Sequence, residues 1–185
     1  MVMVAPTVWT AAMVRELPDD GYRYECVDGA LLVTPAPRPM HQLVVARLMA
    51  RLVPYLHHAA HAPTLLAHAS ASEITWGEER TYLQPDIYVA PEAEFRDWTD
   101  VRSLALAVEV LSPSSIRHDR VTKRPVYQRH GVTFWVVDIE SRTVEVWHPG
   151  DERPAIAAEV LTWQLDDGAP VLHIPLTELF APPSA

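Results

Sequence analysis

The apolar run Leu104–Leu111, interrupted only by Glu109, constrains the fold more than any other feature of the sequence. A short run with so little polar alternation is typical of a strand that is buried on both faces of a sheet. Alternation places Glu109 on the same face as Ala105 and Ala107, whose small side chains leave room beside it. Burying an unpaired carboxylate costs on the order of several kcal/mol. Glu109 therefore needs a compensating partner, either a functional cation or a structural arginine at the strand end.

The N-terminal half of the sequence predicts a short helix, a hairpin and a long amphipathic helix. Thr7 or Thr10 is a candidate N-cap for the short helix, which we expect to reach Leu17. Asp28-Gly29 is a turn dipeptide between two strand-like arms, one of which carries Glu25. The periodicity of residues 40–59 predicts the amphipathic helix, with Pro54 as a kink or break.

The remaining elements predict a mixed sheet. Strand-like runs cover residues 64–69, 73–76 and 83–89, and a helix is expected up to His130. A second hairpin, with its turn at Ser141-Arg142, follows near the C-terminus. The order of strands and helices indicates an α/β or α+β fold with a mixed β-sheet flanked by helices and by N-terminal and C-terminal hairpins.

Length and composition indicate a single folded domain. The 185 residues suit one core, so we expect a domain over residues 1–180 and a frayed tail over 181–185. No apolar run approaches the roughly 18 residues that span a bilayer, and one cysteine, Cys26, excludes an intrachain disulfide. These features predict a cytoplasmic protein without membrane contact. The net charge of −9 argues against electrostatic binding of nucleic acid over a broad surface of the protein.

Asp86 supplies a second carboxylate at the start of a strand-like run. It follows Pro85 and precedes apolar residues, so it lies at the mouth of a strand. Two carboxylates from neighbouring strands can hold Mg²⁺, which prefers oxygen ligands and keeps several waters. The alternative is that Asp86 simply ends a strand.

The segment 117–130 is a basic patch that the global charge conceals. It contains five basic residues against one acidic residue, Asp119, and it includes Lys123, the only lysine of the chain. A compact ammonium suits contact with a water or a phosphate oxygen. The alternative is an ordinary solvated helix face. Tyr127 lies four residues after Lys123, where it could orient the lysine or simply pack.

Several motifs together resemble a large bacterial family of restriction-endonuclease-like proteins, assigned to the PD-(D/E)xK nuclease superfamily. They are Pro85-Asp86, Glu109-Val-Leu-Ser-Pro-Ser114, Asp119-Arg120, Lys123, Tyr127 and Gly131-Val132 through Asp138, in this order. The match covers roughly residues 25–138. The fold that the resemblance implies is a restriction-endonuclease-like mixed sheet, in agreement with the element order.

The resemblance also implies roles for individual residues. Asp86 and Glu109 would be metal ligands, with Mg²⁺, or Mn²⁺, as cofactor, and Lys123 would be a migrated catalytic lysine, because Leu111 occupies its standard position. Glu25 would complete the catalytic set, and the supporting positions are His41, Asp119 and Tyr127. In the basic segment itself, we expect Arg120 and Arg124 to bind phosphate.

Pro125 departs from a simple helix around Lys123. Proline in a helix interior loses a hydrogen bond and clashes with the preceding turn. Either Thr122 caps a helix that leaves Asp119 outside it, or the helix kinks and Lys123 is misaimed.

The function implied is a metal-dependent endonuclease that hydrolyses DNA phosphodiester bonds, with a homodimer expected by analogy. The alternative is a catalytically inactive nuclease-fold protein that serves as a binding or assembly module, which the acidic net charge favours. A glycosidase-type pair of carboxylates would leave Lys123 and the basic segment without a role.

Overall fold

The computed structural model describes residues 8–59, 64–69, 72–95 and 101–183. Its α-helices are α1 Ala11–Arg15, α2 Pro39–His58, α3 Arg124–Arg129 and α4 Leu176–Leu179. Its strands are β1 Tyr22–Val27, β2 Ala30–Pro35, β3 Leu65–Ala69, β4 Ile87–Pro91, β5 Leu106–Val110, β6 Thr133–Asp138, β7 Thr143–Trp147, β8 Ala155–Ala157, β9 Val160–Trp163 and β10 Leu172–Pro175. A 3₁₀ turn covers Glu92–Phe95 and a π-helical turn covers His118–Lys123.

A six-stranded mixed sheet in the order β3-β4-β5-β6-β7-β8 forms the centre of the fold. Strands β5 and β6 are parallel, and the other neighbours are antiparallel. Every residue of β5 is buried, as the apolar run predicts. The predicted α+β fold with a mixed sheet, flanking helices and hairpins is confirmed. Because β5 lies inside the sheet, Glu109 is carried into the interior.

Different elements pack against the two faces of the sheet. One face packs against α2 and against the segment formed by β9, β10 and α4, with Leu48, Trp135 and Trp163 in a shared core. The other face packs against the β1–β2 hairpin and α3, which contribute Val27 and Tyr127. Glu109 belongs to this second face, since it alternates with Val108 and Val110 of the first core.

Both predicted hairpin turns are present. Asp28 and Gly29 have φ of 49° and 87°, the left-handed conformation that a two-residue hairpin turn requires. A Cβ atom at Gly29 would also lie only 2.8 Å from Val8 Cγ1, so a larger residue there would press against that side chain. Arg142, with φ of 55°, turns the chain between β6 and β7.

Several predicted boundaries are wrong. Helix α1 ends at Arg15 rather than Leu17; its N-cap is Thr10, whose Oγ1 accepts a hydrogen bond from Met13 N. Thr7 lies outside the described residues. The run 73–76 is not a strand, because Ile74 makes only isolated bridges, and the run 83–89 becomes a strand only at Ile87.

The end of the chain is partly tethered. The Ala181 carbonyl oxygen accepts a hydrogen bond of 2.6 Å from Arg47 Nη1. Residues 184 and 185 of the predicted frayed tail lie outside the described residues.

The chain around Pro125 differs from both sequence interpretations. Pro125 is the second residue of α3 and follows the π-helical turn directly, inside a helical segment that runs without a break over residues 116–129. The π-helical turn contains both Asp119 and Lys123. The wider turn therefore keeps Asp119 and Lys123 in one helical segment that continues through Pro125.

Helix α2 continues through Pro54, so the predicted break is wrong. Among the described residues, no helix combines the length and the apolar character that a bilayer crossing requires.

Replacing exposed Pro54 by alanine tests this helix. Pro54→Ala restores a backbone donor within α2 and removes the ring clash, and we expect a gain of about 1–3 kcal/mol in the free energy of unfolding, reduced by the greater freedom of the unfolded chain. Thermal melts should show a rise of several degrees. The neighbouring exposed Val53→Ala is the control, with little expected change; equal melting temperatures for both variants would contradict the prediction.

Candidate functional site

Asp86 and Glu109 meet where β4 and β5 adjoin. Ile87 pairs with Val108 in the antiparallel register, so one further step places Asp86 opposite Glu109. Asp86 Oδ2 also accepts a hydrogen bond of 2.8 Å from Val110 N, the amide next to Glu109. Only 3% of Asp86 and 2% of Glu109 are exposed. The sheet therefore buries two neighbouring carboxylates.

Lys123 lies among three carboxylates from three separate elements. Its Nζ is 2.6 Å from Glu25 Oε2, 3.0 Å from Glu109 Oε1 and 3.2 Å from Asp119 Oδ1. The contact with Asp119 is an ion pair that lacks hydrogen-bond geometry, since Asp119 Oδ1 has no hydrogen-bond partner among the described residues. Strand β1, strand β5 and the π-helical turn thus converge on one ammonium group.

Asp86 has a different set of partners. Its Oδ1 accepts a hydrogen bond of 2.8 Å from Arg23 Nη1, and its Oδ2 lies 3.0 Å from His41 Nε2 near the start of α2. His41 is buried, and its Nδ1 has no hydrogen-bond partner among the described residues. Both carboxylate oxygens of Asp86 are therefore engaged by protein groups.

Two further contacts fix the orientation of the acids. Tyr127 donates a hydrogen bond of 3.1 Å to Glu109 Oε1, and Glu25 Oε1 accepts one of 2.8 Å from Gln84 N. The sequence left open whether Tyr127 orients Lys123 or simply packs, and in the structure its hydroxyl hydrogen-bonds to Glu109. Burial, with the charges of Glu109 and Glu25, raises the pKa of Tyr127 well above its ordinary value, so its hydroxyl stays a donor.

Asp86, Glu109 and Lys123 border a small cavity of about 30 Å³. This volume is enough for one or two water-sized occupants. Ser112 and Ser115 form its rim through a local turn in which Ser115 N donates to Ser112 O at 3.0 Å. Its charged lining consists of Arg23, His41, Asp86, Glu109, Asp119 and Lys123.

The two central carboxylates have opposite pKa shifts. Burial alone would raise the pKa of Asp86, but the hydrogen bond from His41 and the charge of Arg23 lower it to about 2. Burial raises the pKa of Glu109 well above its ordinary value; Lys123 opposes this effect, and Asp119, Asp86 and Glu25 reinforce it. Two carboxyl groups on one face of the sheet therefore have pKa values that are shifted in opposite directions, as in many acid–base sites.

Lys123 keeps its proton. Burial alone would lower its pKa, but the carboxylates of Glu109, Glu25 and Asp119 hold that pKa well above the ordinary value. The cluster contains four carboxyl groups against the two permanent cations Lys123 and Arg23.

The donor set fits a hard divalent cation in its chemistry. Carboxylate oxygens are the ligands that Mg²⁺ prefers, and Mg²⁺ needs only one or two of them because it retains waters. Within residues 8–59, 64–69, 72–95 and 101–183, no group of three or more His, Cys, Asp or Glu side chains is arranged to hold a metal. Asp86 and Glu109 could offer such a cation two carboxylates, in competition with Arg23 and His41 for Asp86 and with Lys123 and Tyr127 for Glu109.

Arg120 and Arg124 lie away from the cavity. Arg120 donates to Glu145 Oε1 at 2.6 Å and to Asp138 Oδ2 at 3.0 Å. Arg124 Cζ lies 4.4 Å from the centroid of the Trp147 ring. The structure brings together the other predicted residues but not these two, and their phosphate contacts stay predictions.

No sequence motif singled out Arg23. It lies two residues before Glu25 on β1, so strand alternation places both on one face. That alternation was the signal that could have found it.

The comparisons with known proteins agree with this architecture. Residues 11–177 match the Uma2 family, described as a putative restriction endonuclease family, and the chain belongs to it. The chain also matches the crystal structure of a putative nuclease belonging to DUF820 from Anabaena variabilis, with a TM-score of 0.72 and 20% identity over 93% of this chain and 97% of that chain. No curated protein matches the chain. The predicted restriction-endonuclease-like family is confirmed, and the match to the solved structure agrees with the predicted fold.

Removing Lys123 should destabilise the protein strongly. Lys123→Ala leaves three buried carboxylates without their cation, and breaking a buried ion pair by removing one partner costs about 3–5 kcal/mol. Denaturant unfolding measures this loss. Arg129→Ala, which removes a more exposed cation paired with Asp28 and Glu78, should cost at most about 1 kcal/mol. Similar losses for the two variants would contradict the prediction.

Glu109→Gln should not lower the free energy of unfolding of the metal-free protein at neutral pH. Glutamine can still accept from Lys123 and Tyr127, while the buried negative charge is removed. A carboxyl group whose pKa is raised on folding stabilises the folded protein at pH values below its ordinary pKa of 4.5. That stabilisation is lost as the pH rises through the pKa of the group in the folded protein.

The measurement is denaturant unfolding in EDTA from pH 4 to pH 8. We expect wild type to lose stability relative to Glu109→Gln as the pH rises, so that the variant is at least as stable at neutral pH. A strongly destabilised variant at neutral pH would instead identify Glu109 as a structural ion-pair residue.

Proposed function

We propose that the protein is a metal-dependent endonuclease that hydrolyses DNA phosphodiester bonds. The observation that carries this proposal is the convergence of Asp86, Glu109 and Lys123 on one small cavity at the meeting of β4 and β5. Membership of the Uma2 family, described as a putative restriction endonuclease family, supports it.

Asp86 and Glu109 would hold the cofactor, Mg²⁺ or Mn²⁺. A bound divalent cation supplies an activated water and neutralises charge on a phosphoryl oxygen. The depressed pKa of Asp86, about 2, keeps this ligand ionised at neutral pH. The raised pKa of Glu109 means that binding a cation there would displace its proton.

Lys123 supplies a permanent positive charge next to Glu109. Its ammonium group, held by Glu25 and Asp119, lies 3.0 Å from Glu109 and so beside the proposed ligand pair. In this position it would orient the nucleophile or stabilise the charge that develops on the phosphate. Tyr127 keeps the Glu109 carboxylate in place through its hydroxyl.

One observation favours the alternative, a catalytically inactive nuclease-fold module. Arg23, His41 and the Val110 amide already satisfy both oxygens of Asp86, and the net charge of the chain is −9. If those partners outcompete a cation, the fold would serve binding or assembly without hydrolysis.

Plasmid cleavage separates the two functions. With Mg²⁺ or Mn²⁺ at low salt, wild type should nick supercoiled DNA, and EDTA should stop the reaction. Glu109→Gln should lose activity by about 100-fold or more, because even residues behind a metal ligand often contribute 10–100-fold.

Glu145→Gln is the matched control. It makes the same change to a carboxylate that lies outside the cavity and contacts Arg120 and Trp147. We expect it to cleave like wild type. Equal activity of Glu109→Gln and Glu145→Gln preparations would point to a contaminating nuclease and favour the inactive module.

A homodimer is part of this proposal, because two cavities are needed to cut both strands of a duplex in one encounter. Linear plasmid formed together with the nicked product, and a dimeric mass in solution, would support it. If the protein is a monomer in solution and only nicks plasmid DNA, the homodimer proposal is wrong, whereas the endonuclease proposal still holds.

A further inference from the structure

Two permanent cations each hold one of the proposed metal ligands. Arg23 Nη1 donates a hydrogen bond of 2.8 Å to Asp86 Oδ1, and Lys123 Nζ lies 3.0 Å from Glu109 Oε1. A divalent cation bound to these carboxylates would therefore lie close to two positive charges, which repel it. The cation affinity of the site depends on whether one of these positive groups can move away.

Lys123 is held on several sides. Its Nζ contacts the carboxylates of Glu25, Glu109 and Asp119, and only 3% of its side chain is exposed. If Lys123 moved away, three buried carboxylates would lose their counter-ion. A cation bound at Glu109 would not replace the contacts with the other two, so Lys123 stays in place.

Arg23 is held at fewer points. Within the described part of the chain, its hydrogen bonds run from Nη1 to Asp86 Oδ1 and, at 3.2 Å, to Gln84 O. Asp86 is its ion-pair partner there, and 19% of its side chain is exposed. Movement of Arg23 would leave one carboxylate without its counter-ion, and a cation bound at that carboxylate would neutralise it.

The two oxygens of Asp86 have different partners. Oδ2 accepts a hydrogen bond of 2.8 Å from Val110 N and lies 3.0 Å from His41 Nε2, whereas Oδ1 is engaged by Arg23. Movement of Arg23 would therefore free Oδ1 as a ligand. The partners of Oδ2 would still hold the carboxylate in its present orientation.

We propose that Arg23 occupies the ligand atom Asp86 Oδ1 in the metal-free protein and that a divalent cation binds by displacing it. Arg23 thus neutralises the buried carboxylate before the cation binds, and it lowers the cation affinity of the site. This inference rests on the proposed cation-dependent function and assigns the regulation of its metal site to one residue.

Mn²⁺ binding to the full chain without DNA tests the displacement. Free Mn²⁺ is measured by its electron paramagnetic resonance signal during a titration near neutral pH. Arg23→Gln removes the competing charge and keeps an amide donor, so we expect it to bind Mn²⁺ about tenfold more tightly than wild type. Arg23→Lys retains the charge and should bind Mn²⁺ with nearly the affinity of wild type.

Two further variants locate the effect. Arg15→Gln makes the same change to an arginine that pairs with Glu73 outside the cavity, and it should bind Mn²⁺ like wild type. The double variant Arg23→Gln/Asp86→Asn should lose the gain in affinity, because the oxygen that Arg23 releases is no longer charged. Thermal melts in EDTA check that each variant is folded.

A second measurement uses the wild-type protein alone and does not depend on the folding of a variant. In a Mg²⁺ titration followed by NMR of the arginine side-chain nitrogens, the signals of Arg23 should change as the ion pair with Asp86 breaks. The signals of Arg15 should stay the same. Unchanged Arg23 signals at a Mg²⁺ concentration that saturates binding would contradict the displacement.

The outcomes distinguish this inference from the nuclease function. Tighter Mn²⁺ binding by Arg23→Gln supports the displacement even if wild type cleaves no plasmid, and the nuclease proposal alone then fails. Equal or weaker binding by Arg23→Gln than by wild type overturns the displacement and leaves the nuclease proposal in place. If neither protein binds Mn²⁺, the displacement and the cation-dependent function are both wrong.

Discussion

The site depends on the ion-pair cluster around Lys123. Strand β1, strand β5 and the π-helical turn each contribute a buried carboxylate, and the ammonium group between them offsets repulsion that would otherwise push these elements apart. Because Lys123 is only 2% exposed, water screens these charges weakly. The same lysine that the proposed chemistry uses therefore also holds the hairpin and helix against the sheet.

The environment gives similar carboxylates different properties. Asp86 accepts hydrogen bonds from three donors and stays ionised, whereas burial dominates at Glu109 and raises its pKa. This asymmetry is compatible with the proposed cation site, because one ligand is already ionised and the other would exchange its proton for the cation. The fold and family are shared with proteins described as putative nucleases, and the proposed hydrolysis rests on the arrangement of these particular side chains.

The arginines of the basic segment form ion pairs within the fold. Its five basic residues suggested a phosphate-binding surface, yet Arg120 pairs with Glu145 and Asp138, and Arg129 pairs with Asp28 and Glu78. These arginines tie the helical segment to the sheet and the hairpin turn. Arg23, from a strand where no motif pointed to it, borders the cavity.

The sequence alone determined the buried central strand, both hairpin turns and the family, because apolar runs, turn dipeptides and the motif around Glu109 are local signals. It also pointed to Asp86, Glu109, Lys123 and Glu25 as candidates. Only the tertiary structure decided which groups pair with them, since the Arg23–Asp86 and Glu25–Lys123 contacts join residues far apart in the chain. The π-helical turn before Pro125 likewise follows from packing: local propensity offered a cap or a kink, and the buried ion pairs favoured a wider turn that keeps Asp119 and Lys123 together.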